Sequence, residues 1–87
     1  MVKQWQVILS KQAKKDAKKI ASSGLKTQTQ ALLEILQVNP YQLPYEKLVG
    51  NLAGYYSRRI NIQHRLVYEI HEEERIVRVL RMWSHYE

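Results

Sequence analysis

Cysteine is absent from the 87-residue sequence, which excludes disulfides and thiolate metal ligands as staples and fits a reducing, cytoplasmic setting. No stretch approaches the ~20 consecutive apolar residues of a membrane-spanning helix. The opening segment, Met1 to Leu9, holds too short and too interrupted an apolar run for a secretory signal. The expectation is a cytoplasmic protein that does not engage a membrane. Glycine occurs three times, and there is no P-loop, no GxSxG and no glycine-rich fingerprint, so a loop that cradles a nucleotide is not expected. His64, His71 and His85 show no metal-binding spacing and no HExxH pattern. Neither metal nor cofactor is expected. Internal repeats and low-complexity tracts are missing as well. The length fits one domain, 1–87, with a modest core.

What the chain does have is positive charge. Fourteen Lys and Arg against eight Asp and Glu leave a net charge of +6. For so small a protein this implies a potential that attracts polyanions, nucleic acid above all. An acidic partner protein would satisfy the same potential. With 45% hydrophobic residues and alternating patterns, the sequence is that of a globular protein rather than a disordered one.

The pattern predicts an α+β fold. Residues 3–9 alternate as a strand, with Trp5, Val7 and Leu9 on one face. Ser10 offers an N-cap hydroxyl to a helix over Lys11–Ser22, whose apolar positions are Ala13, Ala17, Ile20 and Ala21. Gly24 suits the left-handed residue that closes this helix. A second helix is expected from Thr27 to Val38, with Leu32, Leu33 and Leu36 as its buried stripe, ended by Asn39-Pro40. After Pro44 the period shifts to two. A short strand over Glu46–Val49 is expected, then a loop at Gly50–Gly54. Strands over Tyr55–Asn61, His64–His71 and Arg75–Trp83 follow. Turns near Ile62-Gln63 and at Glu72-Glu73-Glu74 make these strands antiparallel neighbours. The predicted architecture is therefore an N-terminal strand, a helical hairpin, and an antiparallel sheet of three to four further strands. The helices cover one sheet face and leave the other open.

Candidate functional residues fall into two groups. Lys11, Lys14, Lys15, Lys18 and Lys19 share one side of the first helix, where they could follow a phosphate backbone or simply form a solvated face. In the run from Tyr55 to Leu66, Arg58 and Arg59 point to opposite faces of a strand. A hairpin closing near Ile62-Gln63 would bring Arg59 and Arg65 together. Two neighbouring guanidiniums need an anion between them. That anion is either a phosphate gaining charge in a transition state or a carboxylate such as Glu46, Glu69 or the C-terminus. Metal-free RNA cleavage requires a base for the 2′-hydroxyl, an acid for the 5′-oxygen and cations for the phosphorane. Glu, His and Arg supply these roles.

Three strings in the second half then resemble one family: Pro44-Tyr45-Glu46-Lys47-Leu48, Asn51-Leu52-Ala53-Gly54-Tyr55-Tyr56-Ser57-Arg58-Arg59-Ile60, and His64-Arg65-Leu66-Val67-Tyr68, with His85-Tyr86 near the end. Together they resemble the Txe/YoeB family, RelE-like toxins of bacterial toxin–antitoxin modules. The resemblance implies a toxin that enters the ribosomal A site and cleaves bound mRNA, blocking translation. A cognate antitoxin with an acidic, partly disordered segment would silence it in a hetero-oligomer. It places the general base on Glu46, the phosphate-stabilising arginines on Arg59 and Arg65, the general acid on His85, and the terminal aromatic of the site on Tyr86. Arg58 and the five lysines remain RNA-binding candidates. Many members end at the His-Tyr pair, whereas here Glu87 adds a carboxylate beside it. Two alternatives from other classes stay open: a non-catalytic inhibitor on the same fold, of the kind that poisons gyrase, and a basic nucleic-acid-binding module.

Overall fold

The computed structural model describes residues 5–50, 54–61 and 64–82. Its elements run β1 (Gln6–Leu9), α1 (Lys11–Ser22), α2 (Lys26–Val38), β2 (Glu46–Lys47), β3 (Tyr56–Arg59), β4 (Arg65–His71) and β5 (Ile76–Arg81). The five strands form one sheet in the order β1-β5-β4-β3-β2. The pairs β2/β3, β3/β4 and β4/β5 are antiparallel, as expected from their short connections, whereas β1 lies parallel to β5. The helical hairpin thus carries the chain from one sheet edge, β1, to the other, β2.

Local chemistry accounts for the element ends. The Ser10 hydroxyl accepts from the Ala13 amide at 3.0 Å and caps α1. At the other end Gly24 takes φ +82°, and the Leu25 amide bonds back to the Ile20 carbonyl at 3.2 Å. The last turn, Glu72 to Arg75, closes with Arg75 at φ +59°, so β5 begins one residue later than the sequence pattern suggests. The second strand is shorter than expected: among the described residues Glu46 and Lys47 pair with β3, and beyond them the Leu48 amide reaches the Tyr55 carbonyl. The turn at Ile62-Gln63 and the ends of the first and last predicted strands lie outside the described residues.

Both helices lie on one face of the sheet, as the sequence predicts. Trp5, Ala13, Ile20, Leu36, Leu66, Tyr68, Val77 and Val79 are buried together there, with Val7, Leu9, Leu32 and Leu33 packed against them. Of the expected α2 stripe, Leu36 is fully buried, while Leu32 and Leu33 are half-buried and Thr29 takes an inward position. The helix is rotated slightly from the three-leucine stripe. At the end of β5 a register irregularity falls opposite Val67 and Tyr68. Beside it, the Asp16 carboxylate of α1 accepts from the Arg81 Nε at 3.0 Å and the Met82 amide at 3.1 Å.

Candidate active site

Register pairing decides which side chains share a face. Glu46 lies opposite Ser57, Ser57 opposite Val67, and Arg59 opposite Arg65. Residues paired this way point to the same side, so these five occupy the face away from the helices. Tyr56, Arg58, Leu66 and Tyr68 alternate with them and face the helical side. Arg59 and Arg65 therefore stand side by side on neighbouring strands, as the hairpin argument requires.

Glu46, on the edge strand β2, supplies a carboxylate to the same face. It pairs with Arg65, whose Nη1 also donates to the Ser57 hydroxyl at 3.3 Å. Arg59 is exposed on the same face. The hydrogen bond from Arg65, then that residue's charge, and to a lesser degree the charge of Arg59, hold the Glu46 carboxyl below its usual range. The Glu46 side chain remains 61% exposed and that of Arg65 26%. An exposed pair of this kind contributes little to fold stability. It is an assembly of charge at a surface, beside a cleft of about 260 Å³ lined by Leu32 of α2 and by Pro44, Tyr45, Glu46, Ser57, Arg58, Arg59 and Arg65. Glu46 is the carboxylate partner of Arg65, so a phosphate would have to compete with it for that guanidinium.

Arg58 departs from its expected role as an RNA contact. It is 2% exposed, and its Nη1 and Nη2 donate to the carbonyls of Pro44 at 3.0 Å and Pro40 at 2.9 Å. Its guanidinium carbon sits 5.7 Å from the Tyr45 ring centre and 5.8 Å from that of Tyr68. Burial pushes the Tyr68 phenol up, with Arg58 partly opposing the shift. With its Nη1 and Nη2 committed to two carbonyls, Arg58 is a fixed part of the wall of the Glu46 cleft rather than a mobile contact for a phosphate backbone. Alternation places Arg58 and Arg59 on opposite faces of β3, and burial shows that Arg58 is the inward one.

The lysines of α1 are all exposed, but α1 packs against β1 and β5 rather than against the strands that hold Glu46, Arg59 and Arg65. Lys11 and Lys14 instead border a surface hollow together with Arg78 and His71. His85 and Tyr86 lie outside the described residues, as does Glu87. Among the described residues no group of three or more metal-ligating side chains converges. A larger groove of about 380 Å³ between α1, α2 and β1 is lined mainly by apolar side chains such as Leu9, Ala17, Ile20 and Leu33. It shares no residue with the Glu46 cluster and suits apolar contact rather than proton transfer.

Two contributors were missed by the sequence reading. Ser57 is 1% exposed and lies beneath the Glu46–Arg65 pair, a position that its alternation with Arg59 signals. Asp16 is fully buried. It falls three residues after Ala13 and four before Ile20, on the apolar stripe of α1, which is the signal for an inward carboxylate.

Residues 7–87 match the family model described as the ParE toxin of the type II toxin–antitoxin system, parDE. Over 32 residues the chain is 53% identical to Toxin YoeB of Synechocystis sp., a segment that covers 37% of this chain and 37% of that relative. Against the YoeB dimer of Staphylococcus aureus the likeness is 32% identity and a TM-score of 0.80, covering 95% of this chain and 99% of the other. The YoeB of the S. aureus YoeB–YefM complex superposes with a TM-score of 0.78 at 32% identity, covering 94% of this chain and 98% of that one. On these matches and on the fold, the chain belongs to the ParE toxin family of type II toxin–antitoxin systems and is a RelE-like toxin of the Txe/YoeB type.

Proposed function

We propose that the chain is a metal-independent, ribosome-dependent mRNA endoribonuclease working in the cytoplasm, with Glu46 as base, Arg59 and Arg65 as phosphate clamps, His85 as acid and Tyr86 beside it. The observation that carries this reading is the grouping of Glu46, Arg65 and Arg59 on one sheet face, where a carboxylate and two guanidiniums flank a cleft. A purely attractive surface has no use for a carboxylate paired with one of its arginines.

The chemistry follows from those groups. Glu46 removes the proton of a 2′-hydroxyl, whose oxygen bonds to the adjacent phosphorus. The bond from phosphorus to the 5′-oxygen breaks, and His85 protonates the leaving oxygen, which yields a cyclic phosphate and a free 5′-hydroxyl. Charge that builds on the phosphorane oxygens is met by Arg59 and Arg65. While Arg65 holds Glu46, the carboxylate is a weak base. A phosphate seated in the cleft draws Arg65 to itself and leaves Glu46 freer to accept a proton, so base strength rises as substrate binds.

The partner expected is an acidic antitoxin, in line with the toxin–antitoxin complex formed by the S. aureus relative and with the net charge of +6 here. Reverse transcription of mRNA from a translation extract tests the activity: new 5′ ends within codons at the ribosomal A site are expected. Uncut mRNA together with inhibited gyrase supercoiling would replace this reading with that of a non-catalytic gyrase poison. A double Lys14→Ala, Lys18→Ala variant is expected to associate more weakly with ribosomes than the parent, by a margin that shrinks as salt rises, yet to cut normally once bound. Unchanged association would leave those lysines as a solvated face.

A further inference from the structure

Glu46 stands on a strand too short to place it. With two residues in the sheet, β2 cannot define its own position, and the chain before it, from Pro40 to Tyr45, belongs to no helix or strand. Among the described residues its local bonds are few: the Tyr41 amide reaches the Asn39 side chain at 3.1 Å and the Gln42 amide reaches the Asn39 carbonyl at 3.1 Å. The Tyr41 side chain, donating to Glu72 and packed edge-on to Trp5, ties down the start of the segment but not the end that carries Glu46. A carboxylate on such a segment would wander by more than proton transfer tolerates.

Arg58 meets that need from the opposite face of the sheet. One guanidinium bridges the carbonyls at the two ends of the connecting segment, Pro40 and Pro44, and the second of these lies two residues before Glu46. The Tyr68 hydroxyl makes a longer contact to the same Pro40 carbonyl at 3.5 Å. Tyr45, the residue immediately before Glu46, packs its ring edge-on against Tyr56 with centres 5.5 Å apart and also flanks Arg58. Tyr56 stacks in turn on Tyr68 at 5.7 Å. The planar fork is what allows one side chain to hold two carbonyls, and lysine has no equivalent geometry. Solvating the exposed side of the molecule requires no buried cation here.

We infer that Arg58 is a positioning residue for Glu46: it clamps the 40–45 segment to the underside of β3 and β4, and so fixes the carboxylate against Arg65 on the face above. The inference rests on the proposed nuclease reading for its effect on rate, but the clamp itself has a consequence that does not depend on cleavage. If Arg58 sets the Glu46–Arg65 geometry, loosening it must loosen that ion pair.

The test therefore has two arms, both on the full-length toxin. In the first, the Glu46 side-chain carboxyl carbon is followed by NMR through an acid titration in the parent, in Arg58→Met and in Arg58→Lys. The midpoint in the parent is expected below the ordinary glutamate range, and in both variants it is expected to move up towards it. In the second arm, single-turnover cleavage on programmed ribosomes is measured for Arg58→Met, Glu46→Gln and the double variant. Arg58→Met is expected to lower the rate by about 10- to 10²-fold, the scale of a displaced catalytic group. In the Glu46→Gln background it should cost little more, because the two act as a unit. Should Arg58→Met fail to fold, Tyr45→Leu removes one face of the clamp from a half-buried site and is read in the same way. An unmoved Glu46 midpoint in folded variants overturns the inference, as does an equal loss of rate in both backgrounds. A shifted midpoint in a protein that cuts no RNA would keep the clamp and overturn the nuclease reading instead.

Discussion

Replacing His85 with glutamine is expected to lower the single-turnover cleavage of ribosome-bound mRNA by about 10²–10⁴-fold, the usual contribution of one positioned proton donor. Ribosome binding should survive, because the exchange alters neither the surface charge of the lysine helix nor the arginines on the sheet. Glu46→Gln should show a comparable fall by removing the proposed base. It has a second effect that His85→Gln lacks, since it releases Arg65 from its carboxylate partner. The freed guanidinium is then available to phosphate from the start, so Glu46→Gln should bind RNA at least as tightly as the parent while cutting it slowly. Arg65→Ala combines the opposite losses, weaker phosphate binding and less charge stabilisation in the transition state. This pattern separates chemistry from attraction: base and acid variants bind and do not cut, whereas lysine variants cut and do not bind well. Parent-rate cleavage by His85→Gln at saturating toxin would remove the C-terminal histidine from the mechanism.

The site was legible in the sequence to the extent that strand alternation and short hairpins dictate neighbours. Arg59 and Arg65 could be paired because one tight connection joins their strands, and Arg58 could be assigned to the opposite face for the same reason. Which of those faces carries the helices follows from Leu66 and Tyr68, the apolar residues that alternate with Arg65 and Val67. Pattern alone could not show that Arg58 would find two carbonyls to bond, since Pro40 and Pro44 reach it through an irregular segment that has no period to read. The parallel placement of β1 beside β5 was out of reach for a similar reason. No short connection links them, and their pairing is a long-range choice made by the apolar faces of β1 and the helices. Helix boundaries were read closely because caps are local: Ser10 and Gly24 act within one turn of themselves.

The largest effect on stability is expected at Asp16, the buried carboxylate of α1. Burial alone would push its carboxyl up; the Met82 amide, the Gln12 side chain and Arg81 together outweigh this and hold it below the usual aspartate range. Removing one partner of a buried, hydrogen-bonded ion pair costs about 3–5 kcal/mol, because the other groups are left without an acceptor. Here the Arg81 side chain is 39% exposed and can turn to water, whereas the Met82 amide is buried and cannot. Asp16→Ala should therefore fall at about 3 kcal/mol, the lower end of that range. For a domain of this size that is a fall in Tm of roughly 12–24 °C at about 4–8 °C per kcal/mol. Asp16→Asn keeps the shape and one accepting oxygen, and should lose about 1–3 kcal/mol. The pH dependence gives the result its sign. A carboxyl whose folded-state pKa lies below its unfolded value adds stability at pH values above the unfolded one, near 3.8, and loses it as pH falls through the folded one. The parent should thus melt well above Asp16→Asn at neutral pH, and the gap between the two should close as the solution is taken below pH 3.8. A gap that stays constant down to strong acid would mean that the carboxylate charge contributes nothing, and that Asp16 acts through its shape alone.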